Sequence, residues 1–118
     1  MITPESDKVI IVEGLSDKKR IKKIITDPVT IICTNGTLGV PRFDELLDTY
    51  DLDNKDMFIL ADEDSAGMKL RKQLARELPH AEHIHVSSEF REVATTPESA
   101  LATALVCKRI KVNPIFLI

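Results

Sequence analysis

Short apolar runs rich in β-branched residues alternate with amphipathic stretches along most of the chain. The apolar runs predict four strands, which cover 9–12, 29–33, 57–61 and 83–86. Between them, apolar residues recur at spacings of three and four, as in helices that bury one face. These stretches predict four helices, at about 16–27, 43–50, 65–78 and 96–108, and Ser16 is expected to cap the first.

Strands that alternate with helices predict an α/β fold. We expect a three-layer, Rossmann-like, mostly parallel four-stranded sheet with right-handed crossovers and helices on both faces. At 118 residues, the chain 1–118 is expected to form a single domain. The apolar tail 112–118 has no evident partner, and it is either an edge strand or a surface for a protein partner or a second copy.

Composition narrows the class of protein. The chain is 43% hydrophobic and 30% charged, which is typical of a soluble globular domain. No run of about 18 apolar residues is present, and the first residues lack the pattern of a signal peptide. We therefore expect a cytoplasmic protein without a membrane span. Cys33 and Cys107 stand among apolar residues and are expected to be reduced core residues, with a disulfide disfavoured.

Charge is distributed unevenly. The net charge of −3 argues against binding nucleic acid by bulk charge. Nevertheless, basic residues cluster at 18–23 and 69–76, each time directly after an acidic motif. Lys69, Lys72 and Arg76 share one helical side, which is either a phosphate track or an ordinary solvated face.

The sequence Asp62-Glu63-Asp64 follows the third predicted strand. Two unit charges about 4 Å apart repel by roughly 4 kcal/mol at an effective dielectric near 20, so a cation, a shared proton or exposure to water must offset them. On an extended segment Asp62 and Asp64 point the same way and Glu63 points elsewhere. Carboxylate oxygens suit Mg²⁺ or Mn²⁺. The alternative is a solvated loop in which Asp64 or Ser65 caps the next helix.

Glu13-Gly14 stands at the end of the first predicted strand. Carboxyl ends of parallel strands meet at one edge of a sheet, so Glu13 joins Asp62 and Asp64 if the two strands are neighbours. Glu13 is then a general acid or base, or a metal ligand. Gly14, Gly36 and Gly67 are positions where the backbone could approach a phosphate, although turns or close packing explain them as well.

Two other kinds of site are disfavoured. His80, His83 and His85 have no cysteine or carboxylate at a spacing that would complete a zinc site. Aromatic residues make up only 4% of the chain, too few for a base-stacking platform.

Taken together, Val9-Ile10-Ile11-Val12-Glu13-Gly14 and Ile59-Leu60-Ala61-Asp62-Glu63-Asp64-Ser65-Ala66-Gly67 resemble a Toprim domain. This is the catalytic module shared by topoisomerases and bacterial-type primases. It also occurs in recombination-repair proteins, overcoming-lysogenization-type nucleases and the 5S ribosomal RNA maturation nuclease. The family is marked by Glu-Gly after the first strand and by Asp-x-Asp, often followed by Gly, after the third. The resemblance covers about 7–90, and Gly36 also matches. The C-terminal helix and tail, about 96–118, lie beyond it.

The resemblance implies that Asp62 and Asp64 bind Mg²⁺, with Mn²⁺ as an alternative. Glu13 is expected to act as general acid or base in phosphoryl transfer, or to help hold the metal. The residues expected along the nucleic-acid path, on DNA or RNA, are Gly14, Asp17, Lys18, Gly36, Gly67, Lys69 and Lys72.

Several expected parts of larger Toprim enzymes are absent from the sequence. Tyr50 is the one tyrosine, and it lies in a helix predicted to be partly buried. The chain has no phosphate-binding G-x-x-x-x-G-K-[ST] motif. It therefore resembles a small stand-alone member of the nuclease type. The alternative is a non-catalytic nucleic-acid-binding or scaffolding module that retains a metal site; a phosphatase or nucleotide-binding protein is a weaker third hypothesis.

Overall fold

The computed structural model describes residues 8–34, 45, 48–49, 55–62, 64–86, 93 and 95–117. Its strands are β1 (Lys8–Val12), β2 (Thr30–Cys33), β3 (Asp56–Leu60) and β4 (Glu82–Ile84). All four strands predicted from the apolar runs are therefore confirmed, and their ends differ from the predicted ones by one or two residues.

The sheet has the strand order β2-β1-β3-β4, and every pair is parallel. The two strands that carry the acidic motifs, β1 and β3, are thus central neighbours. Their register pairs Val12 with Leu60, so the residues that follow both strands emerge at the same level of the sheet. The predicted α/β fold is confirmed.

The helices whose bounds lie within the described residues are α1 (Leu15–Ile24), α2 (Ser65–Glu77) and α3 (Glu98–Cys107). The first begins earlier than predicted, because Gly14 is its N-cap and Asp17 reaches back to the Gly14 N–H. The prediction of Ser16 as N-cap is therefore wrong. No helix among the described residues is long and apolar enough to cross a membrane.

The helix predicted over 43–50 lies mostly outside the described residues, although Glu45, Asp48 and Thr49 are helical. The first helix also ends at Ile24 rather than near Pro28. Ile25 is extended and forms an antiparallel bridge with Val112. The chain therefore leaves the helix at this point and pairs with the C-terminal segment.

Alternating residues of β1 face two separate cores. Ile10 and Val12 belong to the core formed with α1 and α3. Val9 and Ile11 belong to the core formed with α2, whose contribution is Leu70, Leu74 and Leu78. Both faces of the sheet are covered by helices, so the predicted three-layer arrangement is confirmed.

The C-terminal tail is a short 3₁₀ helix, Pro114–Leu117, which packs beside α3. An edge strand, one of the two alternatives for the tail, is therefore wrong for these residues. Ile115 and Leu117 are exposed, and contact with a protein partner or a second copy stays a prediction.

Both cysteines are free thiols, as expected. Cys33 is half-buried and Cys107 is exposed, so the prediction that Cys107 is a core residue is wrong. The buried face of α3 is formed by Leu101, Ala102 and Leu105. Cys107 follows Leu105 by two residues, a rotation of about 200° around the helix.

Candidate metal centre

Three carboxylates converge at the carboxyl end of the sheet. Glu13 directly follows β1, Asp62 comes two residues after the end of β3, and Asp64 is the N-cap of α2. One oxygen from each lies within 4.8 Å of the other two. The structure thus brings together the three acids that the sequence places after two separate strands. Glu63 lies outside the described residues.

Each of the three carboxylates accepts a hydrogen bond from one backbone N–H. The Asp62 N–H donates to Glu13 Oε1 at 3.0 Å. The N–H of Val93 donates to Asp62 Oδ1 at 2.8 Å, and the Gly67 N–H donates to Asp64 Oδ1 at 2.8 Å. One oxygen of each carboxylate is thereby held by the main chain, which leaves a second oxygen for a ligand.

Electrostatics in this group favour the binding of a cation. Burial raises the pKa of Glu13 above its usual range; the Asp62 N–H opposes this, and the charges of Asp62, Asp64 and Asp17 reinforce it. Burial and the charge of Asp62 likewise raise the pKa of Asp17. Within the part of the chain that the structure describes, no basic side chain forms an ion pair with the three converging carboxylates.

The donor set fits a hard divalent cation. Three carboxylates offer only oxygen ligands, which Mg²⁺ and Mn²⁺ prefer, and the group contains neither sulphur nor imidazole. A cation would also offset the repulsion that raises the pKa of Glu13. Glu13, Asp62 and Asp64 are therefore the residues that would hold a metal ion.

Asp17 is buried and stabilises the start of α1. Its side chain is only 7% exposed, and its Oδ2 accepts the N–H of Gly14 at 3.2 Å. Its carboxylate therefore binds the N–H of the N-cap residue of α1. Its negative charge also contributes to the raised pKa of Glu13. Lys18, the next residue, is half-exposed.

Gly67 is a point of close packing between α2 and the segment that carries Asp62. A Cβ atom at this position would lie 1.9 Å from the Asp62 carbonyl oxygen and 2.6 Å from its carbonyl carbon. Its N–H is already given to Asp64. Close packing against the Asp62 backbone thus accounts for a glycine at this position, and an approach of Gly67 to phosphate stays a prediction. Gly36 lies outside the described residues.

The basic residues near the site fall into two kinds. Lys69 and Lys72 are exposed on α2, where a polyanion could reach them. Arg71, on the same helix, is only 3% exposed. Although Arg71 belongs to the basic cluster 69–76 in the sequence, it is therefore not accessible to a polyanion.

Arg71 joins the ends of β3 and β4. Its Nη2 donates to the carbonyls of Ala61 and Ile84, both at 2.8 Å. Its Nη1 donates to the Ile59 carbonyl at 3.3 Å and lies 3.0 Å from Nδ1 of His83, which must be the acceptor because a guanidinium has none. The chain is thereby fixed at the residue before Asp62, a role that sequence reasoning missed.

His83 and His85 stack with their ring centres 6.0 Å apart. Among the described residues, the group of three or more potential metal ligands contains no histidine.

Comparisons with known proteins identify the family and agree with the fold. The family model of the Toprim domain matches residues 8–88. A small TOPRIM domain protein from Bacillus stearothermophilus has a similar structure, with a TM-score of 0.89 and 43% identity over 98% of this chain and 96% of that chain. The uncharacterized protein YusF of Bacillus subtilis (strain 168) is 47% identical over 113 residues, which are 96% of this chain and 76% of that protein.

Proposed function

Because this chain belongs to the Toprim domain family, we propose that it is a Mg²⁺-dependent enzyme that cleaves phosphodiester bonds of DNA or RNA. The observation that carries the proposal is the convergence of Glu13, Asp62 and Asp64 within 4.8 Å. These side chains are oriented by backbone N–H groups and have no described basic partner. Such a site is arranged for a cation and for the phosphate that accompanies it.

In this mechanism Asp62 and Asp64 are the residues that would hold the metal. When bound, Mg²⁺ supplies positive charge that neutralises the scissile phosphate and orients an attacking water. Glu13 moves the proton. Its carboxyl group lies among the residues that would hold the metal, where it can act as general acid or base towards the attacking water or the leaving oxygen. The Asp62 N–H keeps the Glu13 side chain against the metal ligands.

Exposed lysines beside the centre supply the contacts to the nucleic-acid backbone. Lys69 and Lys72 are three residues apart on α2, so they lie on the same side of that helix, and both are exposed. Lys18 stands in the first turns of α1, which follows Glu13. Contacts of this kind position the polymer without reading its sequence.

The whole chain 1–118 is proposed to act as one domain. The segment beyond the matched range 8–88 is packed onto it, because α3 shares a core with α1 and the sheet. Lys23 of α1 also pairs with Glu98 of α3 at 3.3 Å.

A cleavage screen tests the proposal. Purified protein is incubated with single- and double-stranded DNA and RNA in Mg²⁺, Mn²⁺ or EDTA. We expect metal-dependent cleavage by the wild type and by Glu45→Gln, which changes an exposed acid, and a large loss with Glu13→Gln and Asp62→Asn. Folding of each variant is verified by thermal unfolding.

The other outcomes each support a different function. Wild-type protein that binds the polymers and the metal but cleaves none of them would be a non-catalytic binding module. In that case Asp62→Asn would abolish metal binding and leave nucleic-acid affinity intact. Activity on small phosphoesters alone would instead support a phosphatase.

A further inference from the structure

Arg20 differs from the basic residues around it in what its side chain contacts. Lys19, Lys22 and Lys23 are exposed, whereas Arg20 is half-buried. Its Nη1 donates to the Val93 carbonyl at 2.5 Å, and its Nη2 donates to the Thr96 carbonyl at 2.6 Å. Short charge-assisted hydrogen bonds of this kind are about twice as strong as neutral ones. The guanidinium is therefore engaged with the main chain of the C-terminal segment.

Val93 is fixed from three sides. Its side chain is completely buried in the core that α1 and α3 share. Its carbonyl accepts Arg20 and also the N–H of Thr96 at 3.2 Å. Its own N–H donates to Asp62 Oδ1 at 2.8 Å. A hydrogen-bonded path thus runs from the Arg20 guanidinium through Val93 to a carboxylate of the metal centre.

We propose that Arg20 is a positioning residue for the metal centre: it fixes Val93, whose N–H orients the Asp62 carboxylate for the cation. This inference rests on the proposed metal-dependent function. Val93 and Thr96 lie beyond the range 8–88 that the family model matches, so the C-terminal segment completes a site whose ligands all come from the matched part.

The hydrogen bond from Val93 to Asp62 explains how this works. The Val93 N–H holds Oδ1, and this fixes the direction in which the whole Asp62 carboxylate faces a cation. Hydrogen bonds to metal ligands set the orientation of the ligand, and their loss commonly lowers metal affinity or activity 10- to 100-fold. Without the guanidinium, the Val93 carbonyl would lose its charged donor and keep the weaker hydrogen bond from the Thr96 N–H.

The direction in which the Mn²⁺ affinity changes distinguishes a positioning role of Arg20 from an effect of its charge. Arg20→Met removes a positive charge that repels a cation, and this loss of repulsion alone would make Mn²⁺ bind more tightly. Positioning predicts the opposite, a dissociation constant about 10- to 100-fold higher than in wild type. The matched control is Lys19→Met, which removes the same charge from the adjacent exposed position and leaves Val93 in place.

Free Mn²⁺ is counted by electron paramagnetic resonance during titration of each metal-free protein. Arg20→Lys keeps the charge but cannot bind both carbonyls in the same geometry, so its affinity is expected to lie between those of wild type and Arg20→Met. In metal-free protein, amide hydrogen exchange at Val93 should be faster in Arg20→Met than in Lys19→Met. That second measurement does not depend on the metal.

The possible results separate the two proposals. If wild type binds Mn²⁺ and Arg20→Met binds it as tightly as Lys19→Met does, the positioning role is wrong and the metal centre stands. If Arg20→Met is unfolded, unchanged affinity in the folded Arg20→Lys variant overturns the positioning role. If wild type binds no Mn²⁺, the metal centre itself is wrong, and the role of Arg20 in metal binding is wrong with it.

Discussion

The backbone N–H of Asp62 donates a hydrogen bond to Oε1 of Glu13 at 3.0 Å. These residues are 49 positions apart in the chain, and each follows one of the two central strands. The bond fixes the two halves of the acidic site to each other. It also lets the main chain hold one oxygen of Glu13 whether or not a cation is present.

Replacement of Glu13 by Gln should stabilise the metal-free protein. The pKa of Glu13 is raised by burial and by neighbouring acids, so the folded state binds its proton more tightly than the unfolded chain does. As pH rises from the unfolded pKa through the raised folded pKa, wild type therefore loses stability. A glutamine side chain at this position keeps an oxygen for the Asp62 N–H and carries no charge.

In EDTA, the melting temperature of Glu13→Gln should accordingly exceed that of wild type by about 2 °C or more at pH 8. The difference should shrink towards pH 4. Saturating Mn²⁺ should reverse the order, because wild type gains more from the ligand: about 2.7 kcal/mol at 100 times its dissociation constant. Calorimetry at both pH values measures this, and a Glu13→Gln protein that melts below wild type in EDTA at pH 8 would contradict it.

Substitution of Gly67 by Ala should disrupt the centre. The new Cβ would lie 1.9 Å from the Asp62 carbonyl oxygen, and the backbone of either α2 or Asp62 must move. We expect a loss of about 3 kcal/mol in the free energy of unfolding and a marked loss of Mn²⁺ affinity.

Gly14→Ala is the control for that substitution. Its Cβ would lie 3.4 Å from Asp17 Oδ2, and its φ of −118° suits any residue. Its cost should be no more than about 1 kcal/mol, the usual cost of Ala at an N-cap. Urea unfolding compares the two variants, and equal costs would show that the Gly67 contact with Asp62 is unimportant.

Removal of the Arg71 guanidinium should destabilise the fold. Arg71→Met would leave the carbonyls of Ile59, Ala61 and Ile84 without this donor. Each lost bond to a charged group counts for about 1.5–3 kcal/mol, so we expect a total loss of roughly 3 kcal/mol or more. Arg76→Met removes an exposed charge from the same helix and should cost little. A loss in Arg71→Met that is no larger than in Arg76→Met would overturn this assignment.

Charge removal at Lys69 and Lys72 should weaken nucleic-acid binding in a salt-dependent way. Each lysine that contacts a phosphate adds about one to the slope of log affinity against log salt. The double variant Lys69→Gln, Lys72→Gln should therefore lower the slope by about 2 and leave metal affinity nearly unchanged.

The control for the lysine pair is Lys55→Gln. Lys55 precedes the first residue of β3, at the opposite end of the sheet from Asp62. Fluorescence anisotropy at several salt concentrations gives the slopes. If all variants keep the wild-type slope, the polymer does not follow α2.

The apolar patterns predicted the strands and a sheet covered by helices, because a buried strand is recognisable from its own apolar residues, as in Val9–Val12. They also placed Glu13, Asp62 and Asp64 at one edge, since parallel strands end together. They did not predict the carbonyl partners of Arg20 and Arg71, because charged residues in basic clusters are ordinarily exposed.

A signal for both arginines was nevertheless present in the sequence. Arg71 shares a helical stripe with Gly67, Leu74 and Leu78, at spacings of three and four, and Arg20 extends the stripe of Ile21 and Ile24 in the same way. A charged residue on a buried stripe needs carbonyl partners. Those partners lie far away in the sequence, 73 residues for Arg20 and Val93, and no local pattern points to them.

The hydrogen-bonded pair of parallel strands β1 and β3 joins two βαβ halves, and the three converging carboxylates are divided between these halves. The first half, β1–α1–β2, carries Glu13, and the second, β3–α2–β4, carries Asp62 and Asp64. Neither half alone contains all three carboxylates, so a cation that binds them favours the joined state by mass action. If the chain were cut between the halves, tight cation binding would return only when the two fragments recombine. Cation binding would then measure how far the two fragments have recombined.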